Sequence, residues 1–387
     1  MRITAIHEKT IGIASTMRNA DIGFDEMTAS LIAVVTDVKR DGRPVVGYGF
    51  DSIGRYAHGA VARERLIPRL LAADAKALVA DDGANLDPHR CWAAMMRNEK
   101  LGGHGERAGA VGVLDMAIWD AVAKIEGKPL WRLIAERYRG GETDARVRVY
   151  AAGGHYHPGD DLGALKDELR RYRDLGHTTM KIKVGGGPHE QDMARIEASL
   201  AVVGHGRLAV DANAAFDRAR ADRFLTATAG FGLAWVEEIG DPLDFALQAE
   251  LAARHATPMA TGENLFSCAD ARNLLRYGGL RADRDFVQVD IGLAYGLVEY
   301  LRIVEMMEAA GWSRRRCLPH AGHLFSLAVV AGLGLGGHEC APDPTLLFGG
   351  FPAGVTVEDG HVRPPERPGL GFEGKDNLYR LMRDLAA

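Results

Sequence analysis

Short apolar segments that end in a charged side chain recur through the second part of the chain, and this recurrence constrains the fold more than any other feature. The charged residues follow one another at intervals of 26 to 30 residues, from Lys183 to His320. Helical patterns rich in Ala, Leu, Arg and Glu separate the segments. Strand followed by helix, repeated at this spacing, is typical of a (β/α) barrel rather than of an open sheet. The predicted strands are 147–153, 179–184, 207–212, 233–237, 258–263, 285–290, 316–320 and 338–341.

The first part of the chain has a different pattern. Two β-rich segments, 31–38 and 45–49, flank the turn-forming pair Asp41-Gly42, which predicts a hairpin. Helical patterns follow, the longest over 108–125. Strands followed by helices predict an α+β unit. We therefore expect an α+β domain over 1–130, a barrel over 131–350, and a Pro- and Gly-rich C-terminal segment over 351–387 that returns to the first domain.

Composition and charge disfavour several classes of function. The chain has 387 residues, of which 47% are hydrophobic, and its net charge of −5 offers no basic surplus for nucleic-acid binding. Its longest apolar stretch, 324–335, is too short to cross a bilayer, which takes ~20 residues. The four cysteines show no C-x-x-C spacing, and the N-terminus lacks a signal-peptide pattern. We expect a cytoplasmic protein without a nucleic-acid or membrane partner.

Three carboxylates stand at the ends of successive predicted strands: Asp211, Glu237 and Glu263. A single acid at a strand end is usually a helix cap or a solvated loop residue. Three of them in a barrel mouth would converge, because active sites of barrels form at the carboxyl ends of the strands. Hard oxygen ligands without Cys or His favour Mg²⁺ over zinc. The sequence therefore predicts a magnesium site.

Two lysines stand on either side of one isoleucine at the end of the second predicted strand. Lys181 and Lys183 are two residues apart, so both side chains point to the same face. On an edge strand they would simply be solvated. Inside a barrel, burial and like charge would lower the pKa of a lysine. Lys183, which is nearer the mouth, is then a candidate base at neutral pH.

A histidine follows the seventh predicted strand. His320 alone is more often structural than catalytic, but Asp290 ends the preceding strand at the same level. A carboxylate on one ring nitrogen would fix the tautomer and raise the basicity of the imidazole. His323 is the alternative, although it lies beyond the strand end. Glu339, one strand further, is a candidate for a hydrogen bond across the mouth, or a satisfied strand-end acid.

These motifs together resemble the mandelate racemase branch of the enolase superfamily, over essentially the full length of the chain. One departure concerns the residue after the paired glutamates, where the family commonly has proline and this chain has Ile239-Gly240-Asp241-Pro242. The departure concerns the path of that loop and leaves the expected ligand Glu237 unchanged. The motifs that carry the resemblance are Lys181-x-Lys183, Asp211-x-Asn213, Trp235-Val236-Glu237-Glu238, Gly262-Glu263-Asn264, Asp290 and Pro319-His320.

The resemblance implies an α/β fold in which a (β/α)7β TIM-like barrel carries an N-terminal α+β capping domain, together with Mg²⁺ and removal of a proton next to a carboxylate. Within the branch the chain is similar to dehydratases of D-tartrate, which implies the conversion of D-tartrate to oxaloacetate and water. Lys183 would take the α proton and His320 would protonate the departing β-hydroxyl. Another acid-sugar dehydratase, a hydroxy-acid racemase and a non-catalytic ligand-binding relative stay open.

The capping domain is expected to choose the substrate. Candidate loops run over 15–26 and 51–56. Lys100, in a glycine-rich break between helices, is expected to pair with the far carboxylate of a diacid, or else to be a solvated loop lysine. Asn213 and Glu339 are further candidate substrate contacts. The expected partners are a small hydroxy-diacid and further copies of the chain in a homo-oligomer.

Overall fold

The structure, a computed structural model, describes residues 1–13, 18–20, 22–51, 58–156, 161–343, 346–347 and 349–386. Two sheets organise this part of the chain. The first is a three-stranded sheet near the N-terminus, and the second is an eight-stranded sheet built mainly of parallel strands. A π-helical turn over Ala62–Leu66 joins the first two helices.

The strands are β1 Ile3–Gly12, β2 Thr28–Arg40, β3 Arg43–Phe50, β4 Val147–Ala152, β5 Met180–Lys183, β6 Leu208–Asp211, β7 Val236–Glu237, β8 Met259–Thr261, β9 Phe286–Val287, β10 His338–Cys340 and β11 His361–Val362. The helices are α1 His58–Val61, α2 Ile67–Ala72, α3 Pro88–Met95, α4 Glu106–Glu126, α5 Leu130–Tyr138, α6 Asp161–Asp174, α7 His189–Val203, α8 Arg218–Thr228, α9 Phe245–Arg254, α10 Cys268–Tyr277, α11 Leu297–Ala309, α12 Leu324–Leu333 and α13 Asp376–Arg383.

The N-terminal sheet has the order β1-β2-β3 and is antiparallel throughout. The β2–β3 turn is the predicted Asp41-Gly42 pair, and both residues have positive φ, at 49° and 75°, as a type I′ hairpin turn requires. Helix α4 lies against this sheet and is buried over residues 108–123. Gly47 allows the close approach, because a Cβ there would stand 2.0 Å from the carbonyl oxygen of Ala117.

The parallel strands run in chain order from β4 to β9, and β10 pairs with β4 on its other side. Between β9 and β10, Cys317 forms a parallel bridge to Val287 and accepts a hydrogen bond from the N–H of Gly336. This arrangement curls the sheet into a barrel with helices outside it. The predicted fold class, a barrel preceded by an α+β part, is confirmed.

Several barrel strands are shorter than predicted. The described ladder of β7 covers two residues instead of 233–237, that of β9 covers two instead of 285–290, and 316–320 contributes the bridge at Cys317. The residues missing from β7 precede its ladder, where the N–H of Ala234 still donates to the carbonyl oxygen of Leu208 at 2.7 Å. At the carboxyl ends of the strands, the chain instead turns out of the ladder where the polar residues begin. Glu238 has a φ of 41°, for example, and Gly262 has a φ of 128°. The site residues after β8 and β9 therefore lie on loops at the barrel mouth.

Helix α4 also ties the first part of the chain to the barrel and to the C-terminal segment. Asp115 accepts the N–H of Leu297 at 2.6 Å, so that a carboxylate from α4 caps the N-terminus of α11. Asp120 accepts the N–H of Leu370 at 2.7 Å, and β11 pairs with β4. The C-terminal segment thus contacts both α4 and the barrel. Among the described helices, none combines the length and apolar character needed to span a bilayer.

Candidate active site and metal centre

The three predicted metal ligands meet at the barrel mouth. Asp211 and Glu237 are the last residues of β6 and β7 and are paired across the ladder, and Glu263 follows β8 by two residues. Each residue offers a carboxylate oxygen, and these oxygens lie within 4.8 Å of one another. Asp211 and Glu237 are fully buried, and the Glu263 side chain is 13% exposed. Three converging hard oxygens in a buried site suit a small divalent cation such as Mg²⁺.

Both lysines of β5 point into the same site. Lys183 is paired with Asp211 in the ladder, and its Nζ donates to Oδ2 of Asp211 at 2.5 Å. Lys181 is 1% exposed; its Nζ donates to Oε1 of Glu237 and, at 3.1 Å, to Oε2 of Glu339. The alternation of the two residues on one strand therefore places both ammonium groups among carboxylates.

The expected direction of the lysine pKa shifts is the opposite of what the structure gives. Burial favours the neutral amine, but the facing carboxylates outweigh burial and raise the pKa of Lys181 and of Lys183. The strongest opposing charge is Glu237 for Lys181 and Asp211 for Lys183. The two lysines and their burial are visible in the sequence, whereas the anions that surround them come from distant strands.

The carboxylates respond unequally to the same surroundings. Burial works against ionisation of Asp211, yet the two lysines hold its pKa down at about 2. Burial raises the pKa of Glu237 to about 7, despite the Lys181 ammonium beside it. Asp211 is thus more firmly anionic than Glu237.

His320 occupies the other side of the trio. Its Nδ1 lies 3.1 Å from Oδ2 of Asp290, and its Nε2 lies 3.4 Å from Oε2 of Glu263. Burial alone would lower the pKa of His320, but Glu263, Glu339 and Asp290 raise it to about 10. The ring therefore carries a proton that it could donate into the site.

His323, the alternative histidine, has a structural role instead. Its Nδ1 accepts the N–H of Ser326 at 3.0 Å, which caps α12. Burial lowers the pKa of His323 to about 4, so the ring is neutral. With His323 engaged in this cap, His320 stays the predicted proton donor.

A cavity of about 500 Å³ opens above these groups. Its wall on the other side comes from the N-terminal part of the chain, including Phe24 and Met27, and the Phe24 ring meets His155 edge-on with centroids 6.2 Å apart. Both parts of the chain therefore enclose one space. The predicted site residues that line it are Lys183, Asn213, Glu263, His320 and Glu339.

The predicted capping residues are placed unequally. Of the loop 15–26, the residues Asn19, Ile22 and Phe24 line the cavity, whereas 15–17 and 21 lie outside the described residues. Of 51–56, Asp51 alone is described, and it contacts His58 at 2.9 Å. The Lys100 side chain is exposed and is not among the described residues that line this cavity. Its role as a carboxylate partner stays a prediction.

A second group of polar residues, to which the sequence pattern gave no role, lies one step below the mouth. Tyr150 donates to Glu339 at 2.9 Å, whereas Trp235 and Gln288 both donate to Oε2 of Glu237. The sequence does contain a pattern that places these residues near the site: Trp235 stands two residues before Glu237, and Gln288 stands two residues before Asp290. Residues two apart on a strand share a face.

Comparison with known proteins assigns the chain to a family. Residues 164–378, more than half of the chain, match the family described as Enolase C-terminal domain-like. The chain therefore belongs to the enolase superfamily, as its strand-end motifs predicted.

Two curated relatives are dehydratases of acid sugars. L-talarate/galactarate dehydratase of Salmonella typhimurium is 29% identical over 369 residues, which cover 92% of this chain and 84% of that protein. Arabinonate dehydratase of Saccharolobus solfataricus is 28% identical over 291 residues, which cover 72% of this chain and 74% of that protein.

Two similar solved structures contain magnesium. A racemase from Streptomyces coelicolor A3(2) with bound magnesium is 25% identical, with a TM-score of 0.76 over 97% of this chain and 98% of that one. L-talarate dehydratase from Polaromonas sp. JS666, complexed with Mg and L-glucarate, is 26% identical, with a TM-score of 0.74 over 96% and 94%. Together with the buried carboxylate trio, these structures confirm the predicted cofactor.

Proposed function

We propose that this protein is a Mg²⁺-dependent hydro-lyase that removes water from a small hydroxy-diacid, with D-tartrate as the first candidate substrate and oxaloacetate as its product. The observation that carries the proposal is the placement of two proton-transfer groups on either side of the carboxylate trio. Lys183 contacts Asp211 at one end, and His320 contacts Glu263 at the other. Both line the same cavity.

The proton next to a carboxylate is weakly acidic, because its removal places a second negative charge on the carboxylate oxygens. The product of proton removal is an enediolate, and Mg²⁺ held by the three carboxylates would supply positive charge that stabilises it. The same positive charge would offset the effect of Asp211, which raises the pKa of Lys183. Lys183, as the neutral amine, takes the α proton.

His320 completes the reaction from the opposite side. Its protonated ring, held at Nδ1 by Asp290, donates a proton to the β-hydroxyl, and the carbon–oxygen bond breaks with release of water. The enol that remains takes up a proton at carbon and becomes the 2-oxo acid. Asn213 and Glu339 line the same cavity and are proposed to contact the substrate. Lys181 is too buried to reach it and is proposed to stabilise the carboxylates from below.

A second candidate is dehydration of another aldonate or aldarate, because the relatives reported above act on such acid sugars by name. Racemisation is the third, since a base and an acid on opposite sides of one carbon also permit removal and return of a proton. A homo-oligomeric state and a cytoplasmic location stay predictions from the sequence.

The test is a panel of hydroxy-acids incubated with the purified chain and MgCl₂, with 2-oxo acid measured as its semicarbazone. The panel contains the three tartrate stereoisomers, galactarate, talarate and arabinonate, and Glu263→Gln is the inactive control. Oxo-acid from D-tartrate at the highest kcat/KM supports the proposal. A higher value for galactarate or talarate would replace the substrate. Deuterium exchange without any oxo-acid would indicate a racemase, and binding without either reaction would indicate a ligand-binding relative.

A further inference from the structure

Glu237 differs from an ordinary carboxylate ligand in how one of its oxygens is held. Nε2 of Gln288 donates to Oε2 of Glu237 at 2.7 Å, and Nε1 of Trp235 donates to the same oxygen at 3.0 Å. Lys181 donates to the other oxygen, Oε1. A carboxylate oxygen has two lone pairs in the plane of the group. Two N–H donors therefore satisfy Oε2.

Both donors are fixed in position by the barrel. The Trp235 ring lies edge-on to the rings of Tyr150 and Phe286, with centroid distances of 5.0 and 5.7 Å. The backbone N–H of Gln288 donates to the carbonyl oxygen of Thr261 at 2.8 Å. Gln288 thus connects the strand that leads to Glu263 with the side chain of Glu237.

In making this contact, the Gln288 side chain leaves its own carbonyl oxygen without a hydrogen bond to any described residue. Its side chain is buried, and its Oε1 has no hydrogen-bond partner within the described ranges. Rotating the amide would bring Oε1 against the Glu237 carboxylate, which accepts hydrogen bonds and cannot donate one when ionised. A buried polar atom left without a partner needs an explanation in function. The contact with Glu237 supplies one.

We propose that Gln288 and Trp235 are positioning residues that leave Glu237 a single oxygen for the metal and thereby make the site selective for Mg²⁺ over Ca²⁺. Mg²⁺ binds six oxygens in a near-ideal octahedron, and carboxylates that coordinate through one oxygen each fit this geometry. Ca²⁺ takes six to eight and commonly uses both oxygens of a carboxylate. Because two N–H groups already occupy Oε2, Glu237 cannot bind a cation through both of its oxygens. This inference rests on the proposed magnesium site and is independent of the substrate.

The test measures the affinity of the metal-free full chain for Mg²⁺ and Ca²⁺ by isothermal titration calorimetry. Gln288→Met removes one donor with little change in volume, and Trp235→Phe removes the other and keeps an aromatic ring. Tyr150→Phe is the matched control, because it removes a buried donor that serves Glu339 rather than a metal ligand. Near-UV circular dichroism checks the fold of each variant.

We expect each single variant to lose about 10- to 100-fold in Mg²⁺ affinity, the range for residues that orient a ligand. The Ca²⁺ affinity should change less, so the preference for Mg²⁺ should fall, furthest in the double variant. The control should keep the wild-type preference. Equal factors for both metals in every folded variant, or no change, would overturn the inference while the magnesium site stands. A wild-type chain that binds no Mg²⁺ would overturn both. If Gln288→Met does not fold, Trp235→Phe decides.

Discussion

Comparing the variants Lys183→Ala and His320→Asn should separate removal of the α proton from loss of the hydroxyl group. Lys183 lines the cavity, and its Nζ donates to Asp211 at 2.5 Å. His320 stands beyond Glu263 and Asp290, on the other side of the carboxylate trio. If Lys183 takes the α proton, Lys183→Ala loses both dehydration and exchange of that proton with solvent. If His320 acts on the departing hydroxyl alone, His320→Asn loses dehydration and retains exchange.

The magnitude follows from what each substitution removes. A positioned general acid or base contributes about 10²- to 10⁴-fold in rate. At 1.36 kcal/mol per tenfold, that is about 3 to 5 kcal/mol of barrier. Lys183→Ala also removes the cation beside Asp211, so its effect should lie at the upper end. Lys183→Arg keeps a cation there, but a guanidinium does not give up its proton near neutral pH. It should therefore lose exchange as well.

The assay runs both reactions in parallel. Dehydration is followed by oxo-acid formation, and exchange is followed by proton NMR of the α position in D₂O with Mg²⁺ present. Asp290→Asn is included because it weakens the support of His320 without removing the ring. It should lower dehydration and retain exchange, like a milder His320→Asn.

Three results would refute this reasoning. If His320→Asn loses exchange and Lys183→Ala keeps it, the base and the acid are reversed. If both variants retain dehydration, the chemistry lies elsewhere in the chain. Loss of exchange in Lys183→Ala but not in Lys183→Arg would show that the positive charge, rather than the base, is what Lys183 contributes.

Four further predictions concern the metal, the contact between the two parts, the substrate and pH. Asp211→Asn should abolish Mg²⁺ binding in calorimetry while the circular dichroism spectrum is unchanged; retained binding would remove Asp211 from the ligand set. Asp115→Ala should lower the free energy of unfolding in urea by about 1 to 2 kcal/mol, the worth of a helix cap, because the N–H of Leu297 loses its acceptor. An unchanged midpoint would contradict that cap. Lys100→Ala should raise the KM of a diacid more than that of a monoacid, and equal effects would exclude Lys100 from specificity. Burial lowers the pKa of His177 from 6.5 to about 4, so the folded state holds the ring neutral while the unfolded chain binds a proton below pH 6.5. The free energy of unfolding should therefore fall by about 3 kcal/mol between pH 6.5 and 4 relative to His177→Gln, at 1.36 kcal/mol per pKa unit; parallel pH profiles would contradict it.

The sequence alone determined the architecture and the members of the trio, because both follow from a repeat. One charged residue per strand-and-helix unit appears in the printed sequence at a nearly constant interval. A parallel barrel brings equivalent positions of neighbouring strands to the same level. In the structure, Lys183 is paired with Asp211 and Asp211 with Glu237 in the strand ladders, so residues one repeat apart lie side by side.

Only the tertiary structure decided what surrounds each of these groups. Lys181 contacts Glu237 and Glu339, which lie 56 and 158 residues away along the chain. These anions raise the pKa of Lys181, whereas burial and like charge predicted a lowered pKa. Gln288 is one polar residue in an apolar segment until the fold brings its amide to Glu237. Charge and hydrogen bonding act through space over a few ångströms. A linear pattern therefore specifies which residues share a level of the barrel, whereas the distances between side chains decide their protonation and their partners.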